Sequence, residues 1–470
     1  MRRAGRLAAI LAAVPLLVWP AFLNGYPLLF SDTGAFLAQT VEPLMIWDKP
    51  WIYGPLLHLF HWEQTLWAPL LAQGLALSHL LWLTQRVLRA TGQGTGATPA
   101  AHLLLCAALA TLTALPWVAA LLMPDILTPL AVLALFLLGF APPGALSRGE
   151  ALYLLLLGAL AIAAHLSNLP LAFALLVLAA LYARALRPVL RVAAPLGLAV
   201  LLLLGSNAVG HGRLSLSPYG STFLLARLIG DGPAARTIAE RCPQSGWYLC
   251  AWAGRLPADS DVFLWTLDSP VNRDAEGRPR FLGGVLLAEE ARIIVAETLR
   301  REPLAVAWAA LGNGAAQLFK AGVGDTLSRH ALGDSVRPRL VQAFPPAEVA
   351  AHDAAAQAQD RLEGLAAPFL WPQGVVLVLG ALGLLAFWRA LARRGGPLPE
   401  AERRLRLAFV LVLLVAVSGN ALATGALSKP HHRYQARIAW LMPFGALLLA
   451  LPRRPAAHPL PPTPLPPGAD

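Results

Sequence analysis

Apolar runs near the length of a membrane crossing constrain this chain more than any other feature. They lie at about 7–22, 65–83, 102–122, 126–140, 151–165, 169–183, 192–209, 370–388, 405–425 and 435–451, and consist largely of Leu, Ala and Val. Crossing about 30 Å of hydrocarbon at roughly 1.5 Å per residue takes about 20 residues. A helix is the one element that satisfies its own backbone there without closing a barrel. The expected fold is therefore an all-α polytopic membrane protein with about ten transmembrane helices. Charged residues make up only 13% of the chain, against roughly 25% in soluble domains, and the mean hydropathy is +0.58. A soluble fold is excluded.

The net charge of +11 does not indicate nucleic acid, whose footprint is a basic patch on one folded face. Here the arginines fall between apolar runs, which is the pattern of cytoplasmic loops. The start, Met1-Arg2-Arg3-Ala4-Gly5-Arg6 before an apolar run, has the build of a signal peptide but no small-x-small cleavage site. It reads as an uncleaved first helix with a cytoplasmic N-terminus. Ten crossings then place Arg2, Arg3, Arg6, Arg86, Arg89, Arg148, Arg184, Arg187, Arg191, Arg389, Arg393, Arg394, Arg403, Arg404, Arg406, Arg453 and Arg454 inside. The four short outside loops hold only Lys49, Lys429, Arg433 and Arg437. This asymmetry sets the topology, with both termini cytoplasmic.

The expected organisation is an N-terminal bundle of seven helices at 1–209, an insertion at 210–368, three further helices at 369–452 and a Pro-rich cytoplasmic tail at 453–470. The insertion mixes charges with helical patterns and reads as an extracytoplasmic, mainly helical domain. Its segment from Leu304 to Phe319 is apolar enough to lie along the membrane or against the bundle, while Asn313 and Gln317 argue against its spanning. Cys106 lies inside an apolar run. Cys242 and Cys250 match no metal motif; they are either a disulfide in an oxidising compartment or two separate thiols.

Candidate chemistry gathers on the outside face. Asp32 follows the first helix at a depth where a carboxylate is costly unless hydrated, paired or metal-bound; alternatively it starts a short helix as a cap. The same loop carries Asp48, Lys49 and Tyr53 as substrate-binding candidates. Asp125 stands between two apolar runs at the same level, and His165 joins it from the next outside loop. The last outside loop, Lys429-Pro430-His431-His432-Arg433-Tyr434-Gln435-Ala436-Arg437, gathers cations where short loops otherwise lack them. Arg433 and Arg437 are four apart and share a helix face, which suits a phosphate or, alternatively, snorkelling to lipid head groups. Together, acids and cations on one face fit an enzyme that handles an anionic lipid carrier and deprotonates an acceptor.

The segment Phe30-Ser31-Asp32-Thr33-Gly34-Ala35-Phe36-Leu37, followed by Lys49-Pro50-Trp51-Ile52-Tyr53-Gly54-Pro55-Leu56, resembles a pattern of the GT-C superfamily of membrane glycosyltransferases. That pattern is an acid-x-x-x-aromatic element with Arg-Pro-Pro-x-Tyr-Pro. Arg433-Tyr434 before the last apolar run is similar to the family's Arg-Tyr element, and the resemblance covers the bundle. It implies Asp32 as the catalytic base or a metal-linked acid and Asp125 as a second acidic site. It also implies Arg433 and Tyr434 at the donor phosphate; Lys429 and Arg437 of the same loop join them as phosphate-binding candidates, and His165, His431 and His432 are substrate-binding candidates. A divalent ion, Mg²⁺ or Mn²⁺, would find its candidate ligands in Asp32, Asp125 and His165. The implied partners are a polyprenyl-phosphate sugar donor, membrane lipids and an extracytoplasmic lipid, glycan or protein acceptor, at a bacterial inner membrane. Lys49 departs from the pattern by standing where Arg is common, and Asp32 has no adjacent acid. The rival expectations are a transporter or flippase of a lipid-linked anion, and a non-catalytic envelope assembly protein.

Overall fold

The computed structural model describes residues 2–90, 97–183, 185–242, 244–393 and 398–450. Arg184, Arg394, Arg453, Arg454 and the 453–470 tail lie outside the described residues, as do the side chains of Arg2 and Arg3. The structure is all-helical, at 75% helix with no strand among the described residues.

Among the described residues three helices are long and apolar enough to cross a membrane: Leu186–His211, Leu362–Ala392 and Glu400–Leu427. The other apolar runs are helical too, but shorter or interrupted, and the sequence supplies the reasons. The first run divides into Arg2–Leu17 and Trp19–Asn24, with Pro15 inside the former and Pro20 opening the latter. Pro116 opens the short helix Leu115–Ala120 that follows Pro99–Leu112. A proline withholds its amide and crowds the preceding turn, so the helix bends or restarts. Trp67–Ala90 is long enough but buries Gln73, Ser78, Thr84 and Gln85, which lowers its hydropathy.

Leu127–Phe140 buries every residue except its last. It is apolar all round, as a helix at the centre of a bundle must be, and it packs against Trp67–Ala90, Arg148–Ala163, Asn168–Ala183, Leu186–His211 and Glu400–Leu427. The outer helices behave oppositely. Leu362–Ala392 turns Val375, Val378, Leu379 and Leu382 outward at 58–61% exposure. A continuous apolar surface of that kind calls for an apolar solvent around it.

The insertion is two structural parts rather than one. Leu225, Ile229, Ile238, Leu249, Phe263, Leu287 and Ile294 form a separate core, to which Gly220–Gly230, Pro233–Arg241, Ser260–Trp265 and Gly283–Arg301 contribute. From Val323 onward, Leu327, Leu332, Val336, Leu340 and Leu362 belong to the core of the bundle. Between the two, Pro303–Leu318 lies against Glu400–Leu427. The approach is close because Gly425 faces the backbone of Asn313, where an added Cβ would stand 2.5 Å from its oxygen. Cys242 and Cys250 are bonded, with their Cα atoms 5.5 Å apart. Closing so short a loop removes unfolded-state entropy worth about 2–3 kcal/mol. Cys242→Ser should lower the stability of the protein by about that amount, measured by denaturant unfolding in detergent with and without reductant; reductant should affect the wild type alone.

Candidate active site

The segment from Tyr26 to Phe30 is extended and held from two sides. Leu28 N donates to Ala120 O and Leu28 O accepts from Leu122 N, at 3.0 and 2.9 Å. On the other side the Gln357 amide accepts from Leu29 N at 3.1 Å and donates to Leu29 O at 2.7 Å. This fixes the start of the helix Ser31–Val41, where Thr33 Oγ1 accepts from Phe30 N at 3.0 Å and donates to Leu122 O at 3.1 Å. Asp32 is in the first turn, where a carboxylate also meets the positive end of the helix dipole. Gly34 lets the helix press on Ser335, whose backbone would lie 2.4 Å from an added Cβ.

Asp32 is the meeting point of the first and last loops. Lys49 Nζ lies 3.2 Å from its Oδ1 and Arg433 Nη2 lies 3.8 Å from its Oδ2, while 34% of the Asp32 side chain stays exposed. Burial opposes charge on Asp32, but Lys49 and Arg433 outweigh it and hold the carboxyl below its ordinary value of 3.8. Burial likewise works against Lys49, which Asp32 and Asp48 overcome, holding its ammonium above the usual range. Asp48 completes the pair at 2.5 Å. Arg433 is oriented by its backbone, whose N–H donates to Asp325 at 3.0 Å, and by Phe30, whose ring lies 4.1 Å below the guanidinium.

Behind this group sits a closed pair. Arg437 and Asp125 are 0% and 1% exposed and lie 3.4 Å apart. Arg437 also donates to Asn420 Oδ1 at 2.8 and 3.2 Å and to Ser167 Oγ at 2.8 Å. The expectation that Arg437 reaches a phosphate beside Arg433 therefore needs correcting: the helix His432–Ala439 aims Arg437 into the protein, where its donors are already engaged. Asp125, expected as a catalytic acid, is equally shut away. His165 belongs to the same cluster, with its Nδ1 2.8 Å from Ser167 Oγ and its ring 6.4 Å from that of Tyr434.

Lys429, His431 and His432 serve the insertion instead. Lys429 pairs with Asp259 at 2.6 Å and Asp261 at 3.4 Å, and His431 Nε2 lies 3.0 Å from Asp261. His432 Nδ1 accepts from Gly322 N at 3.1 Å. These contacts tie the insertion to the last loop and leave Lys429 no part beside Asp32.

Tyr53 Oη, Asp125 Oδ2 and Arg433 Nη1 are among the buried polar atoms without a hydrogen-bond partner. Unsatisfied buried groups are expensive, so each of these atoms is a candidate contact for a polar ligand. Tyr53 packs edge-on against Phe36 of the Asp32 helix, with ring centroids 5.0 Å apart. It also lines a cavity of about 1010 Å³, walled mainly by apolar groups such as Leu57, Phe60, Leu127 and Leu130 and carrying Arg86 and Glu150.

The donor set does not suit Mg²⁺ or Mn²⁺. Among the described residues no three His, Cys, Asp or Glu side chains gather. Asp32 and Asp125 each face a cationic side chain where a metal would stand, and hard divalent ions prefer several oxygens. No family model, curated protein or solved structure matches this chain.

Asp325, Asn420 and Ser167 were not singled out from the sequence. Asn420 carried a usable signal, an amide inside an apolar run; Asp325 carried none. If Asp125 and Arg437 are an interdependent buried pair, Arg437→Met should cost about 3–5 kcal/mol by stranding a charge. Adding Asp125→Leu should recover part of that loss in a detergent unfolding assay.

Proposed function

We propose that this chain is a membrane glycosyltransferase of the GT-C type, with about ten crossings and its insertion on the extracytoplasmic side of a bacterial inner membrane. It moves a sugar from a polyprenyl-phosphate carrier to an extracytoplasmic acceptor. The observation that carries the reading is the partly exposed Asp32 set between Lys49 and Arg433; Tyr53, packed on Phe36 of the Asp32 helix, also lines a large, mainly apolar cavity. An ionised base, cations for a phosphate and room for an isoprenoid chain are the parts such a transfer requires.

In the reaction, an acceptor hydroxyl oxygen bonds to the anomeric carbon as the bond from that carbon to the phosphate oxygen breaks. The electron pair of the broken bond stays on the phosphate, and the hydroxyl proton passes to Asp32. Lys49 and Arg433 stabilise the departing phosphate, with Arg433 Nη1 as a free donor. Asp32 is a weak base, which suffices because the attacking hydroxyl becomes strongly acidic as its new bond forms. A bound phosphate also shares the cations that otherwise hold Asp32, which raises its basicity at the moment it is needed. Asp125 and Arg437 position this group without touching substrate.

Purified protein given a panel of polyprenyl-phosphate sugars should release or transfer sugar, and Asp32→Asn should lower the rate by about 10²–10⁴-fold at normal abundance. Turnover should persist in a chelator. Because Asp32 is held below 3.8, its deprotonated form persists down to that range. In kcat/KM, which reports the free enzyme, the rate should therefore fall only as pH drops beneath it, and an acidic limb there near pH ~6 would point to a different base.

A further inference from the structure

We propose that the exposed indole of Trp265 is the platform for a saccharide acceptor, so that the acceptor is a glycan rather than a bare lipid or a peptide. This deepens the glycosyltransferase reading and rests on it. Trp265 ends the short helix Ser260–Trp265 of the insertion and is 50% exposed. Its ring centroid lies 6.3 Å from that of Trp47 and 6.0 Å from that of Phe223, which are 5.3 Å apart. Trp47 is seated on Gly284, where an added Cβ would come within 2.3 Å of its ring. The aromatic wall is therefore fixed in place, and Trp265 is its open member.

The wall adjoins the reaction centre. Lys49 Nζ lies 5.9 Å from the centre of the Trp265 ring and 3.2 Å from Asp32 Oδ1, so one ammonium neighbours both. A pyranose offers a face of polarised C–H groups that packs on an electron-rich ring, while its rim of hydroxyls needs hydrogen-bond acceptors. Asp259 and Asp261, on the same short segment, keep 40% and 33% of their side chains exposed. Both already pair with Lys429, and Asp261 with His431, but a lipid chain would strip the water from their exposed sides without replacing its hydrogen bonds. A sugar covers the ring and lends hydroxyl donors to the exposed sides of these acids, and a rigid half-exposed aromatic beside polar groups is the usual build of a binding hot spot.

The test uses the full-length protein and oligosaccharides of mannose, glucose, galactose and N-acetylglucosamine, with binding read by calorimetry. At least one should bind wild type, bind Trp265→Ala about tenfold more weakly and bind Trp265→Phe nearly as well. In turnover, Trp265→Ala should raise the acceptor KM by about the same factor and leave the donor KM unchanged. Equal binding by wild type and Trp265→Ala, or no binding by wild type to any of the four, overturns the platform. Trp265-dependent binding without Asp32-dependent turnover supports the platform and removes the glycosyltransferase reading, so the two failures are distinguishable.

Discussion

The clamp on the segment Tyr26–Phe30 holds the site together. Gln357 grips Leu29 from one side and Thr326 O from the same amide, while Leu28 joins the 120–122 backbone on the other. Asn24 extends the clamp by accepting from Gln357 N at 2.7 Å. Through these bonds the end of the first apolar run, the turn before Asp125 and the return from the insertion share one rigid junction. A buried amide with its donors and acceptors all engaged tolerates little displacement. Asp32 stands three residues beyond Leu29, so its position follows from that junction more than from its own helix.

The same junction explains why the insertion divides into two parts. Its later half, which supplies Thr326, Asp325 and Gln357, must lie in the core of the bundle to reach the first loop. Its earlier half is free to build its own core and touches the last loop through Lys429 and His431. Composition sees a single polar stretch in both halves. What separates them is which apolar residues meet, and periodicity in a chain of short helices does not encode that.

The sequence made the helical class legible because hydrocarbon length and backbone satisfaction leave few alternatives. All of the apolar runs are helical, yet their lengths were harder to read, since Pro15, Pro20 and Pro116 shorten or break helices that leucine content alone would extend. At the site, Asp32, Lys49 and Arg433 were legible because charges at a membrane face are rare enough to be informative. Arg437 was misjudged by spacing. Four residues from Arg433 places it on the same helix face, but a face turned toward Asn420 and Ser167 is an interior one.

The placement of those charges also bears on how the site works. A carboxylate between two cations is stable and unreactive until something competes for them, and a phosphate is such a competitor. In the proposed transfer this arrangement would couple arrival of an anion to release of the base, and Arg433 Nη1 and Tyr53 Oη, both unpaired, are the donors it would leave for that anion. Neutralising the closed pair of Asp125 and Arg437 would leave Asp32 in position but change the field that holds Arg433. In the proposed reaction the buried pair would act through electrostatics alone, since Asp125 and Arg437 are 1% and 0% exposed.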